Sequence, residues 1–550
     1  MLLGIDVGGT FTDAVIIDGT QVVKWAKRRS TKDNLLVSIE EVLRDVTTDI
    51  DVQCIERVTL STTVVTNTIV EGKEDDVDLY IVTGPGMNVD HLFPVVPIFL
   101  SGYTDHRGMV VESYKMANLV EAMPKKRAHK AAVSVKFGNR NPLEELRIGN
   151  ALAEHYSQVS CGSMLSGALN FPRRTVSAYF NSAVASVLEM FKVVVVGALQ
   201  AMGIEAPLYI LKADGGSLPI KLALEKPVET IFTGPAATVL GLYASHRMEK
   251  GHIVALDIGG TTTDISLWVD GQPLMMRDGV YIRQYPSAVR SFAVTSIGIG
   301  GESVVRYVDG VIQVGPERVG PSMALGGDEP TLGDALIVLG HAHYGSYEQA
   351  VAGMKKLNPT MSVEVLAKEV VQVALATIRK GIEDVVDLEN KKAIYVVDDI
   401  VQERRFVVER ILLVGGSAYS LATFIEEALH VPVVVPPSAA VTNAIGAAVA
   451  KQTIEITLRV DTKRRLLVVP ELGLEERGCS LRRIEEVEAK AHQLLRDAAL
   501  TAGLGSDEET INVETIGVED FPVIEGWQSK ERIMTVRAQL QVGVTHYVES

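Results

Sequence analysis

The sequence predicts an α/β protein of two related domains, followed by a small α+β appendage. A chain of 550 residues exceeds what one hydrophobic core serves, so several domains are expected. Apolar strand-like runs alternate with helical periodicity over most of the length. The pattern Asp-x-Gly-Gly-Thr-x-Thr-Asp occurs at residues 6–13 and again at 257–264, 251 positions on (257 minus 6). That is a domain-sized separation, unlike the roughly 20 to 50 residues of a solenoid repeat.

Composition bounds the function. Hydrophobic residues make up 47% and charged residues 22%, enough apolar material for packed cores. The 53 basic and 69 acidic residues leave a formal charge of -16, which repels a nucleic-acid backbone, so no nucleic-acid partner is expected. The cluster Lys125, Lys126, Arg127 and Lys130 follows Pro124 and reads as a solvated turn. Cys54, Cys161 and Cys479 form no C-x-x-C pair, and no export signal precedes Leu2, so a cytoplasmic protein is expected. The charge-free stretch 431–450 is interrupted by Pro432, Pro436 and Pro437, which argues against a membrane span.

Residues 2–17 read as strand, Gly-Gly-Thr turn and strand, closed by Asp18-Gly19. A helix follows at 34–46, and a short strand at 58–60 leads into Ser61-Thr62-Thr63. Residues 77–160 read as an α/β subdomain, 173–202 as a long apolar helical stretch, and 208–212 as a strand ending at Asp214-Gly215-Gly216. The second Gly-Gly-Thr hairpin starts at 253, and a strand at 411–414 delivers Gly415-Gly416-Ser417. Helices of small residues at 181–187 and 444–450 are candidates for the joints between domains, although core packing explains them equally well. The expected domains are 1–180, 181–454 and an appendage at 455–550 with an amphipathic helix at 481–500 and strands near 511–518 and 533–542.

Two glycines between strands let backbone N–H groups approach a polyphosphate, because no Cβ stands in the way. Gly8, Gly9, Gly259 and Gly260 suit that task, with Thr10, Thr12, Thr261, Thr262 and Thr263 as hydroxyl donors. Asp6 and Asp257, at the strand ends, can hold Mg²⁺ through its waters, while Asp13 and Asp264 can do likewise or orient an attacking water. A lone Gly-Gly would be an ordinary hairpin turn, but six specified positions in eight arise by chance about once in 10⁷ starting points. Gly415, Gly416 and Ser417 are candidates for the backbone that lies against an adenosine, at even odds with a plain strand–helix turn.

Phosphate loop, connecting helix, phosphate loop, adenosine loop and connecting helix, in that order over residues 2–450, resemble the superfamily of actin, heat-shock ATPases and sugar kinases. The resemblance implies two RNase H-like domains around a cleft for ATP and Mg²⁺. A narrower set of segments is similar to the hydantoinase/oxoprolinase family: LGIDVGGTFTDAV (3–15), STTVVTN (61–67), KADGG (212–216), PVETIFTGPAA (227–237), VALDIGGTTTDI (254–265), IGIGGES (297–303), VGPERVG (314–320), PTLGDA (330–335) and VPPSAAVTNAIGAA (435–448). That resemblance implies ATP-dependent opening of a cyclic amide (hydantoin, 5-oxoproline or a lactam-like ring) through a phosphorylated intermediate. A separate B-type subunit or a homo-oligomer is the implied assembly, and related proteins serve as carboxylase subunits.

On the same resemblance Thr62, Thr63 and Asn67 are expected near the γ-phosphate or substrate, or as strand-end caps, and Asp214 carries the same two readings. Gly300, Gly301 and Glu302 are expected as a second bend approaching nucleotide, with Glu302 as a base. Residues 213–216 read Ala-Asp-Gly-Gly where the family has Ser-Asn-Gly-Gly, and the appendage is unfamiliar, so the substrate stays open. An ATP-driven reactivating factor, with the appendage as its docking element, is the main alternative, and a sugar or acetate kinase is a lesser one. His341 and His343 lack the carboxylate spacing of a metal site. Asp6→Ala or Asp257→Ala is expected to abolish Mg-ATP binding while leaving the fold intact; unchanged nucleotide affinity in both variants, measured by calorimetry, would overturn the assignment.

Overall fold

The structure, a computed structural model, describes residues 1–30, 35–89, 91–124, 127–276, 278–392, 405–505, 511–525 and 528–549. Lys125 and Lys126 of the basic cluster lie outside the described residues, as does Asn34 at the start of the first helix.

Two sheets share one topology. In the first, Leu2–Val7, Phe11–Asp18 and Gln21–Arg29 form an antiparallel meander, and Arg57–Thr62 and then Leu208–Leu211 add in parallel beside the opening strand. In the second, His252–Ile258, Thr263–Val269 and Gln272–Pro273 form the meander, and Arg410–Val414 and Val433–Val434 add in parallel. Numbered along the chain, each sheet runs 3-2-1-4-5, the RNase H-like order. The first meander strand of each sheet is buried on both faces, which is why LLGIDV and HIVALDI read as nearly continuous apolar runs. Period-two alternation divides Phe11–Asp18 between two cores: Ala14 and Ile16 face the N-terminal core, while Val15 and Ile17 face the core of the second sheet.

The two halves meet through helices Thr233–Ser245 and Thr442–Val449, which pack on each other and on the first sheet. Backbones touch there. A Cβ on Gly241 would stand 1.9 Å from the Thr442 carbonyl oxygen, one on Gly446 1.9 Å from that of Ala237, and one on Gly4 2.1 Å from that of Ala444. The C-terminal joint helix is the one expected from the sequence. Residues 181–187 are not its partner: they span a 46° bend between Phe171–Ala183 and Ala185–Ala201, and Ala183, Val184 and Leu188 pack in the N-terminal core. No single helix among the described residues is long and apolar enough to cross a membrane.

The boundary expected at residue 180 falls inside helix Phe171–Ala183, and strands Leu208–Leu211 and Ser217–Pro219 pair into the first sheet. We propose helix Thr233–Ser245 as the junction instead. Between the first meander and that helix is a four-stranded sheet ordered 158–161, 130–135, 77–82 and 98–99, all parallel. The C-terminal segment forms a five-stranded antiparallel sheet from Glu455–Asp461, Leu466–Val469, Leu474–Arg477, Val513–Glu525 and Gln528–Leu540. Helix Ile484–Thr501 covers it with Val487, Ala491, Leu495 and Ala499, one residue per i+4 step.

Gly446→Ala is expected to push the joint helices apart and destabilise the protein by about 1–3 kcal/mol, the usual cost of overpacking. The midpoint of urea unfolding measures it; an unchanged midpoint would show that the helices yield freely.

Candidate functional site

The two Gly-Gly-Thr turns are built alike and face each other. In the first the Gly8 N–H donates to the Phe11 carbonyl at 3.0 Å, and in the second the Gly259 N–H donates to that of Thr262 at 3.0 Å. A Cβ on Gly260 would stand 3.0 Å from Thr10 Cγ2, so the loops approach within a side chain of one another. Gly9 and Thr262 at the loop tips are exposed, whereas Thr12 and Thr263 are fully buried. Those two hydroxyls brace the loops instead of lining the cleft: Thr12 Oγ1 lies 3.0 Å from Ser30 Oγ, which donates to the Gly8 carbonyl at 2.7 Å, and Thr263 donates to that of Ile299 at 2.7 Å. Thr10 and Thr261 stay partly open.

Four carboxylates converge beneath the loops. Antiparallel register sets Asp6 directly opposite Asp13, and Asp257 directly opposite Asp264. Asn443, from the C-terminal joint helix, donates to Asp6 Oδ2 at 3.4 Å. Thr238, from the other joint helix, has its hydroxyl 2.5 Å from Asp257 Oδ2 and 2.8 Å from Asn443 Oδ1. Burial, then the neighbouring Asp13, pushes the Asp6 carboxyl up to about 7, against the opposing pull of Ser61 and Asn443. Burial and then Asp257 likewise push Asp264 up to about 7. Asp13 is raised by burial although Lys27 Nζ sits 2.6 Å from its Oδ2.

Asp6 Oδ1 and Asp13 Oδ1 are buried without a hydrogen-bond partner among the described residues. Unpaired carboxylate oxygens facing exposed glycine backbone suit a hydrated divalent cation carrying phosphate, because a hard cation takes oxygen ligands and keeps much of its water. No group of three or more His, Cys, Asp or Glu close enough to grip a metal directly occurs among the described residues. His341 packs its ring against Phe424, centroids 4.4 Å apart.

The remaining candidates join the same neighbourhood. Gly415 adopts φ +93°, and a Cβ there would stand 2.5 Å from Asp257 Oδ1, so glycine alone fits. The Ser417 N–H donates to the Ile258 carbonyl at 3.3 Å, and Gly416 has open space above it. Gly300 and Gly301 lie under the second loop: the N–H groups of Gly301 and Glu302 donate to the carbonyls of Gly259 and Gly260 at 2.9 and 2.7 Å. Thr62 Oγ1, at the strand end, accepts from the Val64 N–H at 3.2 Å, and Asn67 Nδ2 donates to Thr63 Oγ1 at 3.2 Å. Thr63 and Asn67 line the approach to Gly234 and Gly9, respectively.

Glu302, expected as a base, is held by Arg29 on one oxygen and by Arg318 at 2.6 Å on the other. Both of its oxygens are taken by guanidinium groups, and we propose that it ties the edge of the first sheet to the second domain. Asp214 is bonded to Lys212 at 3.0 Å and to the Gly216 N–H at 2.9 Å, and lines a separate cavity. Sequence reasoning missed Lys27, Arg29, Thr238 and Asn443. Asn443 sits inside the quoted segment 435–448, but its partner Asp6 lies 437 residues earlier.

The raised carboxyls fix a sign. Asp6 and Asp264 hold their protons to about pH 7 when folded, but ionise near about pH 4 when unfolded. Folding therefore takes up protons in between, and stability falls as pH rises across that window. Asp264→Asn is expected to flatten the decline in melting temperature of the metal-free protein between pH 5 and 8, and a steeper decline than wild type would refute the reading.

Comparison with known proteins agrees with this architecture. The model of the hydantoinase/oxoprolinase family matches residues 174–456, and that of the hydantoinase/oxoprolinase N-terminal region matches residues 2–156. The caprolactamase subunit alpha of Pseudomonas jessenii is 25% identical over 458 residues, covering 75% of this chain and 64% of that protein. The acetone carboxylase beta subunit of Xanthobacter autotrophicus is 22% identical over 444 residues, covering 70% and 60%. The chain thus spans less than two thirds of the length of these relatives. The crystal structure of ATP-dependent caprolactamase from Pseudomonas jessenii superposes with a TM-score of 0.71 at 19% identity, over 100% of this chain and 88% of that one, which shows a shared fold. With its two apposed Gly-Gly-Thr loops and family matches across both halves, the chain belongs to the hydantoinase/oxoprolinase family.

Proposed function

We propose that this chain is the ATP-using component of a hydrolase that opens a small cyclic amide. The observation that carries the reading is the pair of matched loops, Gly260 against Thr10, closing over four carboxylates. The N–H groups of Gly9, Thr10, Gly260 and Thr261 cradle the phosphates, and Gly415 to Ser417 receive the adenosine. Asp6 and Asp257 hold the waters of Mg²⁺, which when bound neutralises phosphate charge in the transition state. Asn443 and Thr238 keep those two carboxylates in place.

Phosphoryl transfer to the amide oxygen makes the ring carbon electrophilic and releases ADP. Water adds to that carbon, the C–N bond opens with the nitrogen taking a proton, and a second water releases phosphate from the acyl phosphate. Asp13 and Asp264 are proposed to orient and deprotonate water, since burial raises both carboxyls, that of Asp264 to about 7, and a raised carboxyl is the stronger base. A second subunit is part of this reading, supported by a relative named as a subunit alpha. Free Cys54, Cys161 and Cys479 fit a reducing cytoplasm. Similarity to a carboxylase beta subunit supports a second reading, in which a phosphorylated enol meets carboxylate.

ATP hydrolysis by the purified chain is expected to rise with hydantoin, 5-oxoproline or a lactam, and Asp13→Asn is expected to lower the stimulated rate by about 10²–10⁴-fold. No response to any cyclic amide, with or without co-purifying protein, would overturn the hydrolase reading; a response only to ketone plus bicarbonate would favour the second.

A further inference from the structure

A cavity of about 210 Å³, lined by no residue of the two Gly-Gly-Thr loops themselves, lies at the seam where the C-terminal domain meets the first sheet. Its floor is the end of strand Leu208–Leu211 with Lys212 and Asp214, and Leu218, Leu222 and Val289 form an apolar part of its otherwise charged wall. Ala498 and Ala502, at the end of the C-terminal helix, form its roof with small side chains that leave the space open. At this size it takes a small molecule, below the roughly 300–1,000 Å³ of drug-sized pockets.

The floor presents a donor beside an acceptor. Lys212 Nζ is 3.0 Å from Asp214 Oδ2 and 3.5 Å from Glu229, which engages two of the three ammonium donors. Asp214 accepts from Lys212 and from the Gly216 N–H, which leaves carboxylate lone pairs over. The pair is charged at neutral pH, since Lys212 and the Gly216 N–H hold the Asp214 carboxyl below its ordinary range despite burial. Five carboxylates and three cations line the cavity, so a ligand bearing its own carboxylate is repelled.

A ring amide is held cis, which sets its carbonyl oxygen and its N–H side by side on one edge. Lys212 and Asp214 match that edge: the ammonium donates to the oxygen and the carboxylate accepts from the N–H, while the methylenes lie on the leucine and valine walls. We propose that this cavity is the binding site for an uncharged small lactam, recognised by its cis-amide edge and roofed by the C-terminal domain. The proposal rests on the cyclic-amide reading for its ligand class. It adds where the ring is held, why a neutral ring is preferred over 5-oxoproline, and what residues 455–550 do. Its position agrees: Glu229 precedes by four residues Thr233, whose hydroxyl donates to the Thr62 carbonyl at 2.7 Å, so the cavity wall continues into the strand end beside the first phosphate loop.

The test is calorimetric titration of the full chain with δ-valerolactam, its N-methyl analogue and 5-oxoproline. Valerolactam is expected to bind, and N-methylation or the carboxylate to weaken it at least tenfold. Ala498→Leu, which fills the roof without touching the charges, is expected to weaken valerolactam at least tenfold, with Mg-ATP affinity read in parallel as a check of fold. Ala502→Leu replaces it if that variant does not fold. Absence of valerolactam binding to wild type, or equal binding to wild type and the filled variants, overturns the proposal. If lactams stimulate ATP hydrolysis equally in wild type and filled variants, the cavity assignment fails and the hydrolase reading stands. If valerolactam binds as expected but no cyclic amide stimulates hydrolysis, the cavity assignment stands and the hydrolase reading fails.

Discussion

Backbone contact between the two joint helices sets the geometry of everything around the cleft. Gly241 and Gly446 let Thr233–Ser245 and Thr442–Val449 touch carbonyl to Cα, and Gly4 lets the second of them lie directly on the opening strand of the first sheet. Any Cβ at these positions would hold the helices farther apart. Because each helix also delivers a polar side chain to a strand end, Asn443 to Asp6 and Thr238 to Asp257, the same packing that closes the core aligns the acidic groups of both sheets. Two hairpins that are separate in the chain thereby become one cleft.

That closeness concentrates negative charge in a partly dry place. Asp6 and Asp264 respond by holding their protons to about 7, and unpartnered oxygens remain on Asp6 and Asp13. Lys27, paired with Asp13 and reaching the Ala440 carbonyl at 3.1 Å, supplies the positive charge on one side. On the other side Glu302 gathers Arg29 and Arg318 and so ties the edge strand Gln21–Arg29 to the second domain. The charged floor of the cavity at Lys212 and Asp214 follows the opposite design, with acid and base already paired and the ligand left to share their spare hydrogen bonds.

Legibility followed range along the chain. Both Gly-Gly-Thr hairpins could be read because a hairpin is local: strand, turn, strand and the acid at each end fall within eight residues. Gly415 was legible for the same reason, as a glycine closing an apolar strand. The pairing of Glu302 was not legible because its partner Arg29 lies 273 residues away and no spacing announces it. Residues 181–187 and 233–245 offer equally small, apolar helices, and only the approach of Gly446 to Ala237 tells which is the joint. The boundary expected at 180 does not foresee that strand Leu208–Leu211 pairs with Arg57–Thr62, a partner some 150 residues earlier. The strands of the C-terminal hairpin read short in the sequence because charged residues stand side by side at Glu519-Asp520 and Lys530-Glu531-Arg532, which breaks the period-two apolar pattern that marks a strand.

The sequence by itself determined the α/β class, the repeated phosphate hairpins with Asp6, Asp13, Asp257 and Asp264 at their ends, and the family resemblance that both halves carry. These rest on local backbone demands, glycine where no Cβ fits and acid where a strand stops, which short stretches of chain express on their own. Tertiary structure alone decided which helices join the halves, that Glu302 binds arginines, that Thr12 and Thr263 brace instead of facing the cleft, and that the C-terminal domain roofs a cavity at Lys212 and Asp214. Each of those depends on groups distant in sequence brought within a few ångströms by packing, and the free energy that selects them exists only once the sheets and helices have closed on one another.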